Sequence, residues 1–390
     1  MRKRLNGQWI LGLVLMLIIL LTACGQNAEK KWQEQYDLGV RYLSEGNYEE
    51  AIIAFTAAIE IDPKRYEAYE YLINSYINMQ EFSNARMCLL NGLDNTESQE
   101  LLAQAKELGW YVPNPDDEVE WHDKAFEEML RQGLGKPNGS IFVRELEQIE
   151  SLTILGNTHI YINEESNHTW TSPQVGLHYY TVDGVDYYEQ GQITSLQDLM
   201  WFPNLKTLTV DANQITDLAP LAGCPALEEL SLNCNNIDDI SPLAALTELK
   251  SLALRYNRIQ DISSVSQMTK LTYLGVSANQ IYDISSLKFL TNLENLNLWN
   301  NQITDISAIA PLTALTVLRI SDNQISDISP LAGMTKLKYL SISNNQISDI
   351  TPLSGLEKLE TLHTSGNRIR NWSPITHLPE GVVTGMNQQN

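Results

Sequence analysis

The chain has 390 residues, with 48 acidic against 26 basic side chains and a formal charge of −22. It carries no basic stripe, which excludes ordinary nucleic-acid binding, because phosphate contacts need clustered Lys and Arg. The length admits two or three domains, and an apolar fraction of 43% is enough for most of the chain to fold.

In chain order, Arg2, Lys3 and Arg4 precede an uninterrupted apolar run, Trp9 to Leu21. That run fits the hydrophobic region of a signal peptide and is short for a membrane span. It ends in Leu21-Thr22-Ala23-Cys24, which resembles the lipobox of bacterial lipoproteins. The resemblance implies removal of residues 1–23 and a diacylated Cys24 as the mature N-terminus. It also implies a tether over 24–31 and a membrane-anchored, extracytoplasmic place in the bacterial cell envelope. An uncleaved anchor is the other reading, and it too puts the rest outside the cytoplasm. Cys88, Cys224 and Cys234 are too scattered for a disulfide framework. Cys224 stands where later repeats carry Leu and reads as core.

Leu38, Gly39, Tyr42, Gly46, Tyr48, Ala51, Phe55, Ala58 and Pro63 then fall at the spacing of a helix pair. Small residues at 39, 51 and 58 allow close approach, Tyr42 and Phe55 fill the gap, and Pro63 stops the second helix. A weaker copy follows in register through Tyr69, Leu72, Tyr76, Phe82, Ala85, Leu89 and Gly92, with Ile73 in a small position and Glu97 where Pro belongs. The pattern resembles tetratricopeptide repeats, although Gln35 replaces their Trp. Ser98 to Leu108 reads as a third helix capping the pair, so 32–109 forms two repeats plus a cap. The inner positions hold no cations, so a carboxylate clamp is not carried over. This part is a spacer or a second docking site.

Residues 110–120, with two Pro and an acidic run, read as a linker or a stiff elbow. A helix is expected from about Asp123, with Ala125, Phe126, Met129, Leu130 and Leu134 as its apolar stripe and Gly133, Gly135 and Pro137 ending it. Residues 121–148 resemble the helical N-terminal cap of internalin-type leucine-rich-repeat proteins.

From Leu205 the pattern L-x-x-L-x-L-x-x-N-x-I-x-D-I-x-P-L recurs every 22 residues, through Leu227, Leu249, Leu271, Leu293, Leu315, Leu337 and Leu359. The expected fold is therefore multidomain. All-α tetratricopeptide pairs precede a leucine-rich-repeat solenoid over 149–390, with parallel strands on its concave face and short 3₁₀ or irregular turns on its convex side. Positions 4 and 6 enter the core. The Asn at position 9, from Asn213 to Asn367, pairs with backbone groups at a tight inward turn. Ser241-Pro242, Ser329-Pro330, Thr351-Pro352 and Ser373-Pro374 read as an N-cap followed by Pro at N1. Asp217, Asp239, Asp261, Asp283, Asp305, Asp327 and Asp349 form a column at position 13. Bracing of each turn is favoured there over cation binding, because the ligand spacing of calcium solenoids is missing.

Positions 3, 5 and 7 line the concave face and are mostly small and polar. Against that background stand Arg255, Tyr256 at position 8, Tyr273, Trp299, Arg319 and Tyr339. Aromatics and Arg dominate interface hot spots, so these six are the candidate contacts for a protein ligand. The internalin resemblance covers roughly 121–380 and implies recognition of a protein partner. No nucleophile elbow, phosphate loop or zincin spacing is present, so an enzyme is not expected and no cofactor is implied. The alternatives are an envelope assembly scaffold, or a metal-dependent enzyme using His168 and His178, near His159, Glu164 and Glu165.

Ile149, Leu152, Ile154 and Asn157 match positions 1, 4, 6 and 9, and Gln192, Ile193, Leu196 and Leu199 resume the pattern. The first repeat thus runs 56 residues, from Ile149 to Asn204, instead of 22. The excess is an insert at about 158–191. It contains a hairpin around Asp183-Gly184, the strongest short turn signal. Two roles stay open for it. One is a lip over the concave face, with Tyr179, Tyr180, Tyr187 and Tyr188 in contact. The other is a shield for the first strand's edge.

Overall fold

The computed structural model describes residues 27–157, 159–163, 180–182, 185–187 and 190–386. The chain divides into two compact units, Met1–Ala105 and Lys106–Asn390.

The first unit is all helix, with α1 (27–44), α2 (Tyr48–Ile61), α3 (Tyr66–Asn78), α4 (Phe82–Thr96) and the start of α5 (Gln99–Glu107). The small positions work as expected. A Cβ on Gly39 would lie 2.6 Å from the Phe55 ring, and one on Gly92 would lie 2.7 Å from Leu101. Trp32 is buried, stacking on Tyr36 at 4.8 Å and lying beneath the Arg65 guanidinium at 3.2 Å. Glu97 ends α4 in the left-handed conformation where a repeat consensus places Pro.

In the second unit, residues 110–120 are pinned at both ends. Trp110 is 1% exposed and its indole N–H donates to the carbonyl of Ala219, 2.8 Å away; Val119 is buried and pairs its N–H with Ile141. Two apolar side chains within a Pro-rich acidic run are enough to fasten it to the repeats. Next come α6 (Lys124–Gly133) and the single turn α7 (Val143–Leu146). The Asp123 carboxylate caps α6 by accepting from Ala125 and Phe126 N–H, and Phe126, Met129 and Leu130 are buried. Its other oxygen accepts from Thr194 and Ser195 of the first repeat. Asp198, fully buried, accepts from the N–H groups of His122 and Asp123. Two carboxylates therefore staple the helical cap to the solenoid.

The sheet has eleven strands. The repeat strands are β5 (Thr207–Asp211), β6 (Glu229–Ser231), β7 (Ser251–Ala253), β8 (Tyr273–Gly275), β9 (Asn295–Asn297), β10 (Val317–Arg319), β11 (Tyr339–Ser341) and β12 (Thr361–His363). They are parallel and in register, residue for residue. β13 (Val383–Thr384) covers the far edge. At the near edge β1 (Ser151–Leu155) pairs with β5 as Ser151 to Thr207, the 56-residue offset read from the pattern. The insert then turns back as β2 (His159–Ile162), antiparallel to β1 on its open side. Ile160 and Ile162 pack on α6 where Gly133 has no side chain. Further on, β3 (Tyr180–Val182) and β4 (Val185–Tyr187) pair antiparallel across Asp183-Gly184, as the turn signal requires.

Each repeat closes through its Asn. Asn301 accepts from Ile281 N–H at 3.0 Å and donates to the carbonyls of Val276 and Leu298, both at 3.1 Å; the other seven follow this scheme with local variation. Asn157, matched to this ladder by spacing, is exposed, because the chain leaves the repeat there to form β2. The convex turns are 3₁₀, such as Ser241–Ala245. Here one expectation is corrected. Ser241 is not the cap; it is the first residue of the turn and Pro242 the second, and no side chain at Ile240 caps it. The cap is Asp239, whose carboxylate accepts Ser241 N–H at 2.8 Å, and the same bond recurs along the column to Asp349. A carboxylate two residues upstream reaches the first free N–H of the turn better than the shorter Ser side chain.

Candidate functional site on the concave face

The concave face is built by positions 3, 5 and 7 of the strands and by position 8, where every repeat turns through the left-handed region. Ala212, Cys234, Tyr256, Ala278, Asn300, Asp322 and Asn344 all have φ between 52° and 56°, and Gly366 has 68°. Gly, Asn and Asp suit that conformation; a Tyr does not. Tyr256 therefore holds a costly position that several repeats fill with a better-suited residue.

The structure brings the six sequence candidates into two groups. In the first, the Arg255 guanidinium donates to the Tyr273 hydroxyl and lies 5.8 Å from its ring centre. The pair lies over Gly275, where a Cβ would be 2.6 Å from the Tyr273 hydroxyl and 3.1 Å from Arg255 Nε. Tyr256 meets Trp299 edge to face at 6.2 Å across the intervening repeat, whose Ser277 and Ala278 are small. In the second group, Arg319 lies 4.5 Å above the Tyr339 ring, and Tyr339 meets His363 edge to face at 5.4 Å. Asp322 binds the first group and a residue beyond it. One oxygen accepts the Trp299 indole N–H at 2.6 Å, and the other accepts Asn344 Nδ2 at 2.9 Å. All six candidates are half-buried.

Sequence reasoning missed Gly275 and Asp322. Gly275 was visible as the one residue without a side chain among positions 3, 5 and 7 of the repeats, and Asp322 as the one carboxylate at position 8. Asp211, at position 7 of its repeat, is buried, accepting from Ser231 Oγ and from both the backbone and side chain of Asn233, and burial raises its carboxyl above the usual range. Cys88, Cys224 and Cys234 are not disulfide-bonded to one another, and Cys224 lies in the core as expected; burial pushes Cys88 and Cys234 up to about 12.

Several sequence candidates fall elsewhere. Cys24, Tyr179, Tyr188, Glu164, Glu165, His168 and His178 lie outside the described residues, as do the side chains of Tyr180 and Tyr187. Among the described residues no helix is long and apolar enough to cross a membrane. In the first unit a depression of about 500 Å³ opens between α2, α3 and α4, lined by Ile59, Leu72, Tyr76, Met87 and Cys88 among others.

The comparisons agree with this architecture. Residues 203–245, 291–333 and 335–378 match the family model "Leucine Rich repeats (2 copies)", and 225–281 match "Leucine rich repeat". Residues 32–65 match "Tetratricopeptide repeat". No curated protein matches the chain. The crystal structure of internalin C2 from Listeria monocytogenes is 30% identical, over 62% of this chain and 93% of that one, with a TM-score of 0.51. Internalin InlF from the same organism is 28% identical, over 67% and 94%, with a TM-score of 0.38. Repeats of this class are protein-binding modules. With eight in-register repeats behind a helical cap, and a 30% identical relative covered over nearly its whole length, the chain belongs to the internalin-type leucine-rich-repeat proteins, carried here behind tetratricopeptide repeats.

Proposed function

We propose that this protein is a cell-envelope lipoprotein, held to the membrane through Cys24, that binds a protein partner on the concave face of its repeats. Arg255, Tyr256, Tyr273, Trp299, Arg319 and Tyr339 are the contact residues. One observation carries the reading. On a face otherwise small and polar, these six side chains from five repeats meet in pairs, with Gly275 making room for Arg255 and Tyr273 and with Asp322 bonded to Trp299. Aromatic rings fixed before binding lose little entropy on contact, which is what a hot spot needs. The internalin relatives support a place on the cell surface, and the lipobox supports anchoring by lipid. The tetratricopeptide unit serves as spacer or second docking site.

The test is a photo-crosslinking residue placed at Ser341, on the concave strand β11, or at Gly333, in a convex turn. In native envelopes, partner adducts are expected from position 341 and not from 333. Adducts from 333 alone would move the site to the convex side. Metabolic labelling with a fatty-acid analogue is expected to mark the wild type and not Cys24→Ser.

A further inference from the structure

We infer that Arg319 is the anchor for an acidic side chain of the partner, and that the bound segment is an otherwise neutral or basic stretch of polypeptide carrying Asp or Glu beside an aromatic or apolar residue. The inference rests on the concave-face reading above and adds the chemistry of what binds there.

In a chain with 48 acidic and 26 basic residues, a cation has no shortage of carboxylates to pair with. The lysines along the strand edges do pair, Lys206 with Glu150 at 2.8 Å, Lys250 with Glu228 at 2.5 Å and Lys338 with Glu360 at 3.2 Å. Arg319 does not. Its one hydrogen bond among the described residues is to Asn295 Oδ1 at 3.5 Å, the far limit of such a bond. Asp322 lies three residues away on the same turn, yet both its oxygens are committed, to Trp299 and to Asn344. A guanidinium has five donors in a planar fork that matches a carboxylate with two parallel bonds. Here that fork is half-buried and set on the Tyr339 face, and Tyr339 is itself braced by His363, whose Nδ1 lies 2.6 Å from Thr384 Oγ1. Stacking fixes the plane of the fork before any ligand arrives, so less freedom is lost on binding. A half-buried cation without a carboxylate among the described residues, next to a fixed Trp299, has the composition of an anchor for a charged and an apolar side chain in neighbouring positions.

The net charge narrows the partner. A segment with several acids would be repelled by the surrounding −22. One carboxylate on a neutral or basic segment escapes that repulsion and still meets Arg319.

The experiment selects random linear 12-residue peptides, displayed on phage, on the full-length protein in detergent. The expected peptides carry Asp or Glu next to an aromatic or aliphatic residue. Changing that acid to its amide is expected to weaken binding at least tenfold on the wild type and not further on Arg319→Gln. Arg319→Lys, which keeps the charge and loses the fork, is expected to recover only part. Peptides without an acid, recovery of no peptide, or equal losses from the amide change in both backgrounds would each overturn the assignment. An acidic oligosaccharide that displaces the peptides more strongly than the acid-to-amide change weakens them would also overturn it. Peptides sensitive to Trp299→Ala but not to Arg319→Gln would defeat this inference alone. Peptides indifferent to both would defeat the concave-face reading itself.

Discussion

At the scale of single residues, fold and function compete at position 8. Tyr256 sits at φ 54° where the last four repeats place Asn, Asp or Gly, at an expected cost on the order of 1–2 kcal/mol. Tyr256→Asn is expected to leave the thermal midpoint unchanged or raise it, and to weaken partner binding about tenfold, as seen by calorimetry and binding on one preparation. Gly275 gives the converse case. Gly275→Ala drives a methyl into Tyr273 and Arg255, so binding falls while the fold, whose core lies beneath the strand, is kept. Neither effect was legible in the sequence. The 22-residue period identified each position but not its φ, and it marked Gly275 only as a missing side chain. The Asn ladder was legible, because a short amide that both donates and accepts suits a turn whose backbone groups would otherwise be buried unpaired. Asn301→Ala strips Ile281 N–H and two carbonyls of their partners. At about 1–3 kcal/mol for each buried group left unpaired, the urea midpoint should drop sharply.

The element scale turns on how the ends of the solenoid are closed. The N-terminal cap is held by Asp123 and Asp198, and its sequence announced the helix and its Asp123 start but not the second carboxylate, which arrives from 75 residues away. Burial, against four weaker effects from His122 and Asp123, raises the carboxyl of Asp198. The folded state therefore binds that proton more readily than the unfolded chain, and the stability from this group grows as pH falls from neutral through the raised value. Asp198→Asn removes the titration and turns one acceptor into a donor facing an N–H. The variant is expected to be less stable by about 1–3 kcal/mol, with a gap to wild type that widens as pH falls from neutral toward the ordinary carboxylate range. A gap that narrows on acidification would contradict the assignment. β2 belongs to the same problem. It covers the open side of β1, which supports the shield role for this part of the insert, because an unpaired parallel edge invites other strands. Deleting residues 159–190 is expected to give concentration-dependent self-association in light scattering.

Over the whole molecule, periodicity made the solenoid readable and irregularity hid the rest. Eight near-identical copies gave strand order, core and concave face directly, and one 56-residue repeat gave away the insert. The pairing of β2 with β1, the burial of Trp110 and the grouping of six side chains depend on long-range contacts that no local pattern records. Whether the concave aromatic and Arg patch binds the partner can be measured as affinity for the crosslinked partner, once purified. Wild type is compared with Tyr273→Ala/Trp299→Ala and with a control, Tyr282→Ala/Phe289→Ala. The control pair is 64% and 52% exposed but lies off the strand face. A loss of at least a hundredfold, about 2.7 kcal/mol, is expected for the concave pair and none for the control. Equal affinity in the wild type and the concave pair would contradict binding at this patch.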